Sequence, residues 1–436
     1  MQEIELNYGR RRLRVALPDG LDVTVIRKRP MTVLPDPSKA VAAALAAPVG
    51  APPLAKIARG RRTVCILICD ITRPVPNGLF LPILVRTLLD AGMEAGNIRI
   101  LVATGLHRPN EGEELAELVG DRWVMETVEV ANHFARDDSA HVHVGTTSRG
   151  NVIKLDRRFV EADLRIATGL VEPHFMAGYS GGRKVIAPGV AHKETITTFH
   201  SSRYMENPLA ANCVLDGNPL HQDQLEIVKM IGGAYALNTV IDEERHLSFV
   251  NFGEIVESHF AAVAFARSFT EVPVERRFKT VVTSAAGYPL DKTYYQTIKG
   301  MVGAMDVVEP GGNLLIASAC SEGMGSPEFV EAQRRLVQDG PDRFLASILE
   351  KRYADIDEWQ TEMQLKPMRI GRIGLYTDGL ASGDRGLTGV DPVDDLAAAI
   401  VASAEATGDN SIAVIPEGPY IVPAYRPSSP SSAAAE

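Results

Sequence analysis

Residues 169–200 constrain this chain more than any other stretch. They read GLVEPHFMAGYSGGRKVIAPGVAHKETITTFH, in which a turn of Ser180, Gly181 and Gly182 stands directly before Arg183 and Lys184. Backbone N–H groups of a glycine-rich turn and two neighbouring cations can converge on one anion. The segment therefore predicts an anion-binding loop that also presents an amine.

Three histidines lie in the same segment, His174 before the loop and His192 and His200 after it. Imidazoles bind metals and exchange protons near neutral pH. His192 stands beside Lys193 and Glu194, which is typical of a solvated helix start, so we assign it no role. An anion loop, an amine able to form a covalent tether and imidazoles for a metal or a proton together predict a cofactor site.

Length and charge narrow the class of protein. The chain has 436 residues, enough for two domains with separate cores. Its formal net charge of −10 argues against nucleic acid as a partner. No window offers the ~18–20 apolar residues of a membrane helix. The N-terminus alternates like a strand and lacks the apolar centre of a signal peptide, so we expect a cytoplasmic protein without a membrane partner.

The four cysteines are scattered along the chain. Cys65 and Cys69 lie in the apolar run TVCILIC, which is typical of small buried side chains. A zinc site or a disulfide framework would require a second pair at suitable spacing, and Cys213 and Cys320 do not provide one.

Strand-like and helix-like patterns alternate along most of the chain, which predicts an α/β fold with two α/β domains and mainly parallel sheets. We expect an N-terminal cofactor-binding domain over 1–265, a polar linker over 266–279 and a C-terminal domain over 280–420. The low-complexity end, 421–436, is expected to be disordered.

The predicted elements are read from apolar periodicity and from turn residues. Residues 3–27 are expected to form paired strands. Further strands are predicted at 63–69, 98–103, 164–170, 280–284, 313–319, 370–376 and 412–415, and helices at 38–46, 53–60, 78–91, 111–119, 293–307, 327–337 and 392–404.

Polar residues follow four of these strands at the point where each strand ends. The carboxyl ends of parallel strands share one edge of a sheet, where ligands bind. We therefore expect the groups at these ends to face one cleft between the domains. They are Asp70, Thr72 and Arg73 after the first strand, His107 after the second, Glu172 and His174 after the third, and 285–299 after the fourth.

Each residue alone also has a structural interpretation. Asp70 and Arg73 can form an ion pair in a turn, and His107 can be an ordinary loop histidine. The turn before Lys184 matches neither the phosphate loop G-x-x-x-x-G-K-[ST] nor the dinucleotide pattern G-x-G-x-x-G. Trp359, on a predicted helix, would usually pack in a core. Only the joint placement of these residues favours an active site.

The ordered set of motifs is similar to the nickel-dependent lactate racemase family, over about residues 1–420. The matching residues are D-x-T-R-P at 70–74, A-T-G-x-H-R at 103–108, E-P-H at 172–174, G-Y-S-G-G-R-K at 178–184, P-G at 188–189, His200, Y-Q-x-x-K-G at 295–300 and Trp359. This resemblance implies two α/β domains with the active site in the cleft between them.

The resemblance also implies a cofactor, a nickel-pincer nucleotide, which is a pyridinium mononucleotide with two sulfur-bearing substituents. Lys184 would hold it through a thioamide, and His200 would be the protein ligand of nickel. Sulfur and imidazole donors in a square plane suit Ni(II). Because the chain cannot encode such a cofactor, separate maturation enzymes are implied as partners.

The other site residues follow from the same resemblance. His107 and His174 would be the catalytic acid/base pair. Cofactor contacts would come from Asp70, Thr72, Arg73, Ser180, Gly181 and Gly182, and substrate contacts from Arg73, Tyr295, Gln296, Lys299 and Trp359.

The chemistry of a 2-hydroxy acid agrees with this assignment. Removing the α-proton would place carbanion charge beside a carboxylate, whereas removing a hydride from C2 together with the hydroxyl proton leaves an uncharged ketone group in a 2-keto acid. A histidine on each side would then serve each enantiomer. The resemblance thus implies a racemase of a small, lactate-like 2-hydroxy acid that uses proton-coupled hydride transfer.

Several alternatives stay open at this point. The enzyme could act on another 2-hydroxy acid, such as malate or an aldonic acid, or use a plain divalent metal. A binding protein for a small acid or a nucleotide is a different class. Hydrolysis with a metal held by His174 and His200 is weaker, because no carboxylate stands at a recognised metal-ligand spacing. The oligomeric state is left open.

Overall fold

The computed structural model describes residues 1–427 and confirms the predicted α/β class with mainly parallel sheets. The strands are β1 Gln2–Tyr8, β2 Arg11–Leu17, β3 Asp22–Val25, β4 Val64–Cys69, β5 Ile98–Ala103, β6 Glu129–Asn132, β7 His141–Thr146, β8 Val152–Asp156, β9 Leu164–Leu170, β10 Pro173–His174, β11 Gly178–Tyr179, β12 Tyr235–Ile241, β13 Leu247–Glu254, β14 Glu271–Val274, β15 Phe278–Ser284, β16 Val308–Ala317, β17 Arg372–Tyr376, β18 Asp391–Val393, β19 Ser411–Ile415 and β20 Val422–Tyr425.

The helices cover the sheets and carry several of the site residues. They are α1 Pro37–Ala46, α2 Leu54–Ala58, α3 Asn77–Asp90, α4 Gly112–Val119, α5 Arg122–Thr127, α6 Arg157–Val160, α7 Arg183–Ile186, α8 Lys193–Phe199, α9 Ser202–Met205, α10 Pro219–Met230, α11 Ile255–Thr270, α12 Tyr294–Ala304, α13 Pro327–Asp339, α14 Pro341–Leu349, α15 Glu358–Met368, α16 Ser382–Arg385 and α17 Leu396–Thr407.

The described chain forms two compact units. We call them the C-terminal unit, which contains 1–29, 201–206 and the residues from 270 onward, and the N-terminal unit, which contains 30–200 and 207–269. Among residues 1–427, no helix is both long and apolar enough to cross a membrane.

The N-terminal unit is built on a six-stranded sheet of order β13-β12-β9-β4-β5-β6. All neighbours in it are parallel except β12 and β13. The central strand β4, VCILIC, is buried along almost its whole length because helices cover both faces of a parallel sheet. The sheet therefore brings the ends of β4, β5 and β9 to one edge.

The C-terminal unit has a second six-stranded sheet, of order β18-β17-β16-β15-β19-β3, in which every pair is parallel. β3 supplies the edge strand, and the hairpin of β1 and β2 buries Leu6 and Leu17 in the same apolar core as Leu315. The first 29 residues therefore belong to this unit and not to the predicted domain 1–265.

The other predicted boundaries also differ from the structure. The expected linker, 266–279, contains the end of α11 and then β14. β14 pairs with β20, which lies inside the expected tail. Both short strands are weak sequence signals because they form a two-stranded sheet away from the main ones. The rest of the predicted tail, 428–436, lies outside the described residues.

Candidate functional site

Asp70 and His107 meet at the carboxyl edge of the N-terminal unit, directly after β4 and a few residues after β5. The Asp70 carboxylate is buried, and its Oδ2 lies 2.5 Å from His107 Nδ1. Its other oxygen, Oδ1, accepts the Thr72 hydroxyl at 2.5 Å and the Thr72 backbone N–H at 3.1 Å. The two strand ends therefore converge, as parallel pairing of β4 and β5 requires.

The charge of Asp70 is set by opposing effects. Burial would raise the pKa of Asp70, but the positive charge and hydrogen bond of His107, together with Thr72 and Arg73, lower that pKa to about 2. The carboxylate is thus ionised across the neutral range. An anion beside Nδ1 keeps a hydrogen on this nitrogen, so in the neutral form of His107 the lone pair lies on Nε2. About half of the His107 side chain, 54%, stays exposed, so Nε2 is arranged as a proton acceptor.

Lys184 lies beneath the same edge, near Arg73 and Glu172. Arg73 Nε and Glu172 Oε1 are 3.7 Å apart, and both side chains are mostly buried. Burial and then the charge of Arg73 lower the pKa of Lys184 to about 8, although Cys69 and Glu172 act in the opposite direction. At neutral pH a fraction of order one tenth of such an amine is unprotonated, which is the nucleophilic form. Sequence reasoning gave Glu172 no role of its own.

His200 ends helix α8 with one ring nitrogen committed to the protein. Its Nδ1–H donates to the Ile196 carbonyl at 2.8 Å, and burial, with a smaller contribution from nearby Lys184, lowers the pKa of His200 to about 4. The ring is therefore neutral, with its lone pair on Nε2. Histidines that bind metals typically donate the other ring N–H to a backbone carbonyl in this way.

His174 has the opposite arrangement. It lies in the two-residue strand β10, which pairs with β11 at the start of the glycine-rich loop. Its Nδ1 accepts the backbone N–H groups of Met176 and Ala177, each at 3.2 Å. A neutral ring with an accepting Nδ1 carries its hydrogen on Nε2, so His174 presents a donor where His107 presents an acceptor.

The loop itself is held by its own side chains. Ser180 donates its hydroxyl to the Leu170 carbonyl at 2.7 Å and accepts the Glu172 N–H at 3.1 Å, so the hydroxyl is used inside the protein. Gly181 and Gly182 have φ of +75° and +47°. A Cβ on Gly181 would lie 2.8 Å from a Val171 methyl group. Both glycines are required by the backbone, whatever they bind.

Arg183 does not point toward a ligand, contrary to the expectation that two cations of the loop meet one anion. It is 1% exposed, and its Nε donates to His221 Nδ1 at 2.5 Å while Nη1 lies 3.2 Å from His259 Nδ1. His259 Nε2 donates in turn to the Ser180 carbonyl at 2.8 Å. Burial lowers the pKa of Arg183 to about 9, and both histidines are kept neutral by burial and by the Arg183 charge. This network fixes the turn that precedes Lys184.

His192 caps the start of α8, as the sequence indicated, but it is buried and not solvated. Its Nδ1 accepts the Glu194 N–H at 3.3 Å, and its Nε2 lies 2.7 Å from Asp138. His133 and His141 lie beside it, with neighbouring ring centroids 5.1 and 5.0 Å apart. The three rings pack the base of α8, which carries His200 at its other end.

The substrate residues predicted in the second half lie in the C-terminal unit. Tyr295, Gln296 and Lys299 are on α12, and Trp359 is on α15. Trp359 Nε1 donates to the Tyr295 hydroxyl at 3.3 Å, so two of the four side chains are in contact. The Gln296 Oε1 atom is buried and has no hydrogen-bond partner in the described chain. An orphaned acceptor of this kind fits a hydroxyl donor from a ligand.

The end of β15 was also expected to contribute to the site, but the hairpin of β1 and β2 covers it. The Tyr288 N–H donates to the Gly9 carbonyl at 2.8 Å, and Asp291 Oδ2 accepts the N–H groups of Gly9 and Ala319 at 2.6 and 3.2 Å. Residues 285–291 therefore stabilise the fold of this unit. Their position after a strand had wrongly predicted a place in the active site.

Glu362, one turn after Trp359 on α15, is a buried carboxyl that sequence reasoning missed. Ser202 on α9 donates to its Oε2 at 3.3 Å, while Oε1 has no partner among the described residues. Burial and then the nearby charge of Glu206 raise the pKa of Glu362 to about 8. The carboxyl is thus protonated at neutral pH.

Glu362→Gln should remove a pH dependence of stability. Between the ordinary carboxyl pKa and about 8, the unfolded chain ionises Glu362 while the folded chain keeps it protonated. Each pH unit in that window lowers the wild-type free energy of unfolding by about 1.4 kcal/mol. Urea denaturation from pH 5 to 8 should show a loss of several kcal/mol that the variant lacks. The exposed Glu350→Gln should keep the wild-type profile, and equal profiles for wild type and Glu362→Gln would contradict the protonated state.

Residues 1–427 contain no metal site that side chains alone would form. No group of three or more histidine, cysteine, aspartate or glutamate residues is arranged there to hold a metal ion. The four cysteines are free, with Cys65 and Cys320 buried and Cys69 and Cys213 partly buried. A metal at His200 would therefore need donors from a bound cofactor, and Lys184 offers the amine that could hold one.

Comparison with known proteins finds relatives along nearly the whole chain. A family model described as the lactate racemase N-terminal domain matches residues 8–212, and one described as the lactate racemase C-terminal domain matches residues 275–422. The lactate racemase of Thermoanaerobacterium thermosaccharolyticum is 31% identical over 427 residues, which is 97% of this chain and 99% of that protein. The lactate racemase of Lactiplantibacillus plantarum is 34% identical over 282 residues, 65% of this chain and 66% of that protein.

Solved structures give the same result for the fold. The lactate racemase apoprotein of T. thermosaccharolyticum superposes with a TM-score of 0.89 at 30% identity, over 97% of this chain and 99% of that one. A Thermotoga maritima protein of 18% identity superposes with a TM-score of 0.67 over 90% of this chain and 98% of that one, which supports the fold alone.

Proposed function

This chain belongs to the lactate racemase family, and we propose that it interconverts the enantiomers of a short 2-hydroxy acid, with lactate as the first substrate to test. We also propose that it carries a nickel-pincer nucleotide on Lys184, with His200 as the protein ligand of nickel. The bound group would supply an acceptor that takes a hydride from C2 of the substrate and returns it.

The pairing of Lys184 with His200 carries this proposal. Lys184 is a largely buried amine whose pKa is lowered to about 8, and its charge acts on His200. His200 directs Nδ1–H to a backbone carbonyl, so the lone pair of its neutral ring lies on Nε2. An amine able to form an amide-like bond near a neutral imidazole fits a tethered cofactor that brings its remaining metal donors with it.

The chain's own residues would manage the proton. His107 Nε2 accepts the hydroxyl proton of one enantiomer, and ionised Asp70, 2.5 Å from Nδ1, stabilises the imidazolium that forms. His174 would be the acid/base residue on the other side, and in its neutral form its Nε2–H would donate a hydrogen bond to the substrate oxygen. Opposite tautomers at the two neutral histidines would provide one proton acceptor and one hydrogen-bond donor.

The substrate carboxylate requires local positive charge because the chain as a whole is acidic, with a net charge of −10. We propose Arg73 and Lys299 for this role. Gln296, whose buried Oε1 has no partner among the described residues, would also contact the substrate, and Tyr295 with Trp359 would form the apolar wall. A methyl-sized substituent at C2 suits such a wall better than a charged one.

Intact-mass measurement of Lys184→Ala tests this proposal. Wild-type chain produced together with its maturation enzymes should gain the mass of one mononucleotide adduct and about one nickel per chain, and it should racemise lactate. Lys184→Ala should lose the adduct and the activity, while Lys229→Ala, which removes an exposed lysine of the same unit, should keep both.

A panel of substrates identifies the 2-hydroxy acid on which the enzyme acts. Enantiopure lactate, malate and an aldonic acid, each followed by chiral chromatography, should show the highest kcat/KM for lactate. A wild-type chain that gains neither adduct nor nickel under these conditions, or an active Lys184→Ala variant, would remove the proposed cofactor. Faster conversion of malate or the aldonic acid would replace lactate as the substrate.

A further inference from the structure

A basic pocket lies in the N-terminal unit, away from the residues discussed above. It has a volume of about 410 Å³ and is lined by Pro52, Lys56, Ile57, Arg59, Gly60, Arg61 and Tyr235. Three of its seven lining residues are cations, and none is an acid. In a chain with 55 acidic and 45 basic side chains, such a concentration of one charge is unexpected.

The cations of this pocket are exposed and have no ion-pair partner in the described chain. The side chains of Lys56, Arg59 and Arg61 make no hydrogen bond or ion pair with any residue of 1–427. Behind them, Arg165 donates to the carbonyls of Val160 and Gly233 at 2.7 and 3.2 Å, and after burial the charge of Arg61 is the main cause that lowers the pKa of Arg165. The charge of Arg61 therefore acts unfavourably on the buried Arg165.

A nearby acid, Asp163, is already used by the backbone. Asp163 accepts the N–H groups of Arg62 and Thr63 at 2.9 and 3.3 Å, and Arg62 Nε lies 3.7 Å from the same carboxylate. The Asp163 carboxylate thus holds the backbone just before β4 and pairs with the charge of Arg62. Lys56, Arg59 and Arg61 remain as an excess of positive charge around a concave surface.

The position of the pocket separates it from the candidate active site. Arg61 and Tyr235 stand at the amino-terminal ends of β4 and β12, whereas Asp70 and Lys184 lie beyond the carboxyl ends of β4 and β9. A strand of six residues spans about 20 Å. The two sites are therefore on opposite edges of one sheet, and a ligand of active-site size cannot occupy both.

We propose that this pocket binds a multiply charged phosphoanion, a pyrophosphoryl group that is either free or part of a nucleotide. Two guanidinium forks and an ammonium provide bidentate and point contacts for phosphate oxygens. The pocket is concave and of small-molecule size, which favours a compact polyanion over a flat acidic protein surface. Charges in such a ligand would relieve the repulsion between Arg61 and Arg165.

Calorimetric titration of the full-length chain with pyrophosphate tests the proposal. Wild type should bind one pyrophosphate, with an affinity that falls as salt is raised. Arg59→Gln combined with Arg61→Gln should weaken binding at least about tenfold, since each lost charged hydrogen bond is of that order. Arg136→Gln, an exposed arginine of the same unit outside the pocket, should bind as wild type does.

Thermal unfolding gives an independent readout that also controls for folding. Without anion, the double variant should melt at or above the wild-type temperature because the repulsion is relieved, and pyrophosphate should raise the melting temperature of wild type alone. ADP titrated in parallel identifies the source: tighter binding than pyrophosphate indicates a nucleotide, and weaker binding indicates an inorganic anion. Pyrophosphate binding that the double variant retains, or that Arg136→Gln loses equally, would overturn the proposal, as would no binding at low salt.

Discussion

Asp70→Asn is expected to lower the rate of racemisation by about 10³- to 10⁴-fold while leaving the fold and the adduct at Lys184 in place. The substitution keeps the shape of the side chain and removes its charge. The size of the effect is that of the same change at the aspartate of a Ser-His-Asp triad, where an aspartate also holds a catalytic histidine.

The loss follows from the tautomer of His107. Asp70 Oδ2 accepts the Nδ1 hydrogen at 2.5 Å, which leaves Nε2 without a hydrogen. An asparagine can turn its NH₂ group toward Nδ1, which would then become the acceptor and move the ring hydrogen to Nε2. The nitrogen proposed to take the substrate proton would be blocked, and the imidazolium formed in the reaction would lose its counter-ion.

Thr72→Val provides the matched control. Thr72 donates its hydroxyl to the other oxygen of Asp70 at 2.5 Å, so the variant removes one hydrogen bond from the carboxylate but leaves its charge and its contact with His107. We expect a loss of about tenfold or less in kcat. The comparison requires single-turnover rates on fully loaded enzyme, with nickel and adduct measured in each sample. Equal losses in the two variants would show that Asp70 acts through local structure and not through His107.

The contact between Asp70 and His107 could be anticipated from the sequence because it depends on neighbouring strands. The runs that become β5 and β9 were predicted with the same limits that the structure gives them, and β4 within one residue. Parallel pairing of β4 with β5 then brings their following loops together. Apolar runs bounded by turns identify such strands well, so this half of the site follows from periodicity and from one rule about sheet edges.

The direction of Arg183 could not be anticipated in the same way. Its partners, His221 and His259, lie 38 and 76 residues further along the chain, on α10 and α11. A cation beside a glycine-rich turn has the same local sequence whether it faces a ligand or a buried pair of histidines. Only the packing of these helices against the loop, which no local pattern specifies, turns Arg183 inward.

The β3 strand shows a similar limit at the level of domains. Residues 3–27 were correctly predicted to form strands, but β3 pairs with β19 near the other end of the chain. The paired residues Asp22 and Ser411 are 389 positions apart in the sequence. Pairing partners that distant leave no trace in a single sequence. The same applies to Glu362, whose raised pKa depends on Glu206 and on burial by α9.

Gly182→Ala is expected to destabilise the N-terminal unit by about 3 kcal/mol or more, and to prevent adduct formation at Lys184. Gly182 has φ of +47° and ψ of −125°, a conformation essentially restricted to glycine, and a non-glycine residue held there costs about 1–3 kcal/mol. An added Cβ would also lie 2.7 Å from Cδ2 and 2.9 Å from Cγ of His259. Overpacking of this kind adds about 1–3 kcal/mol.

His259 has little room to move away from such a methyl group. Its Nε2–H donates to the Ser180 carbonyl at 2.8 Å, and its Nδ1 faces the buried Arg183 guanidinium at 3.2 Å. Displacement of the ring would leave a buried cation and a buried carbonyl with weakened partners, which is more costly than the contact itself. Displacement of the turn would instead shift Lys184, two residues on. Either response should be visible, the first as lost stability and the second as lost adduct.

Gly150→Ala separates the clash from the backbone effect. Gly150 also has a positive φ, +80°, in the turn between β7 and β8, but a Cβ there meets nothing within 4 Å. The free energy of unfolding of this variant, measured by urea denaturation, should therefore fall only by the cost of a left-handed non-glycine residue, about 1–2 kcal/mol. The variant should load its cofactor normally. If the two variants lose equal stability and both keep the adduct, His259 yields to the methyl group, and the network of Arg183, His221 and His259 does not fix the position of Lys184. The difference in stability loss between the two variants therefore measures how rigidly the network of Arg183, His221 and His259 holds the turn.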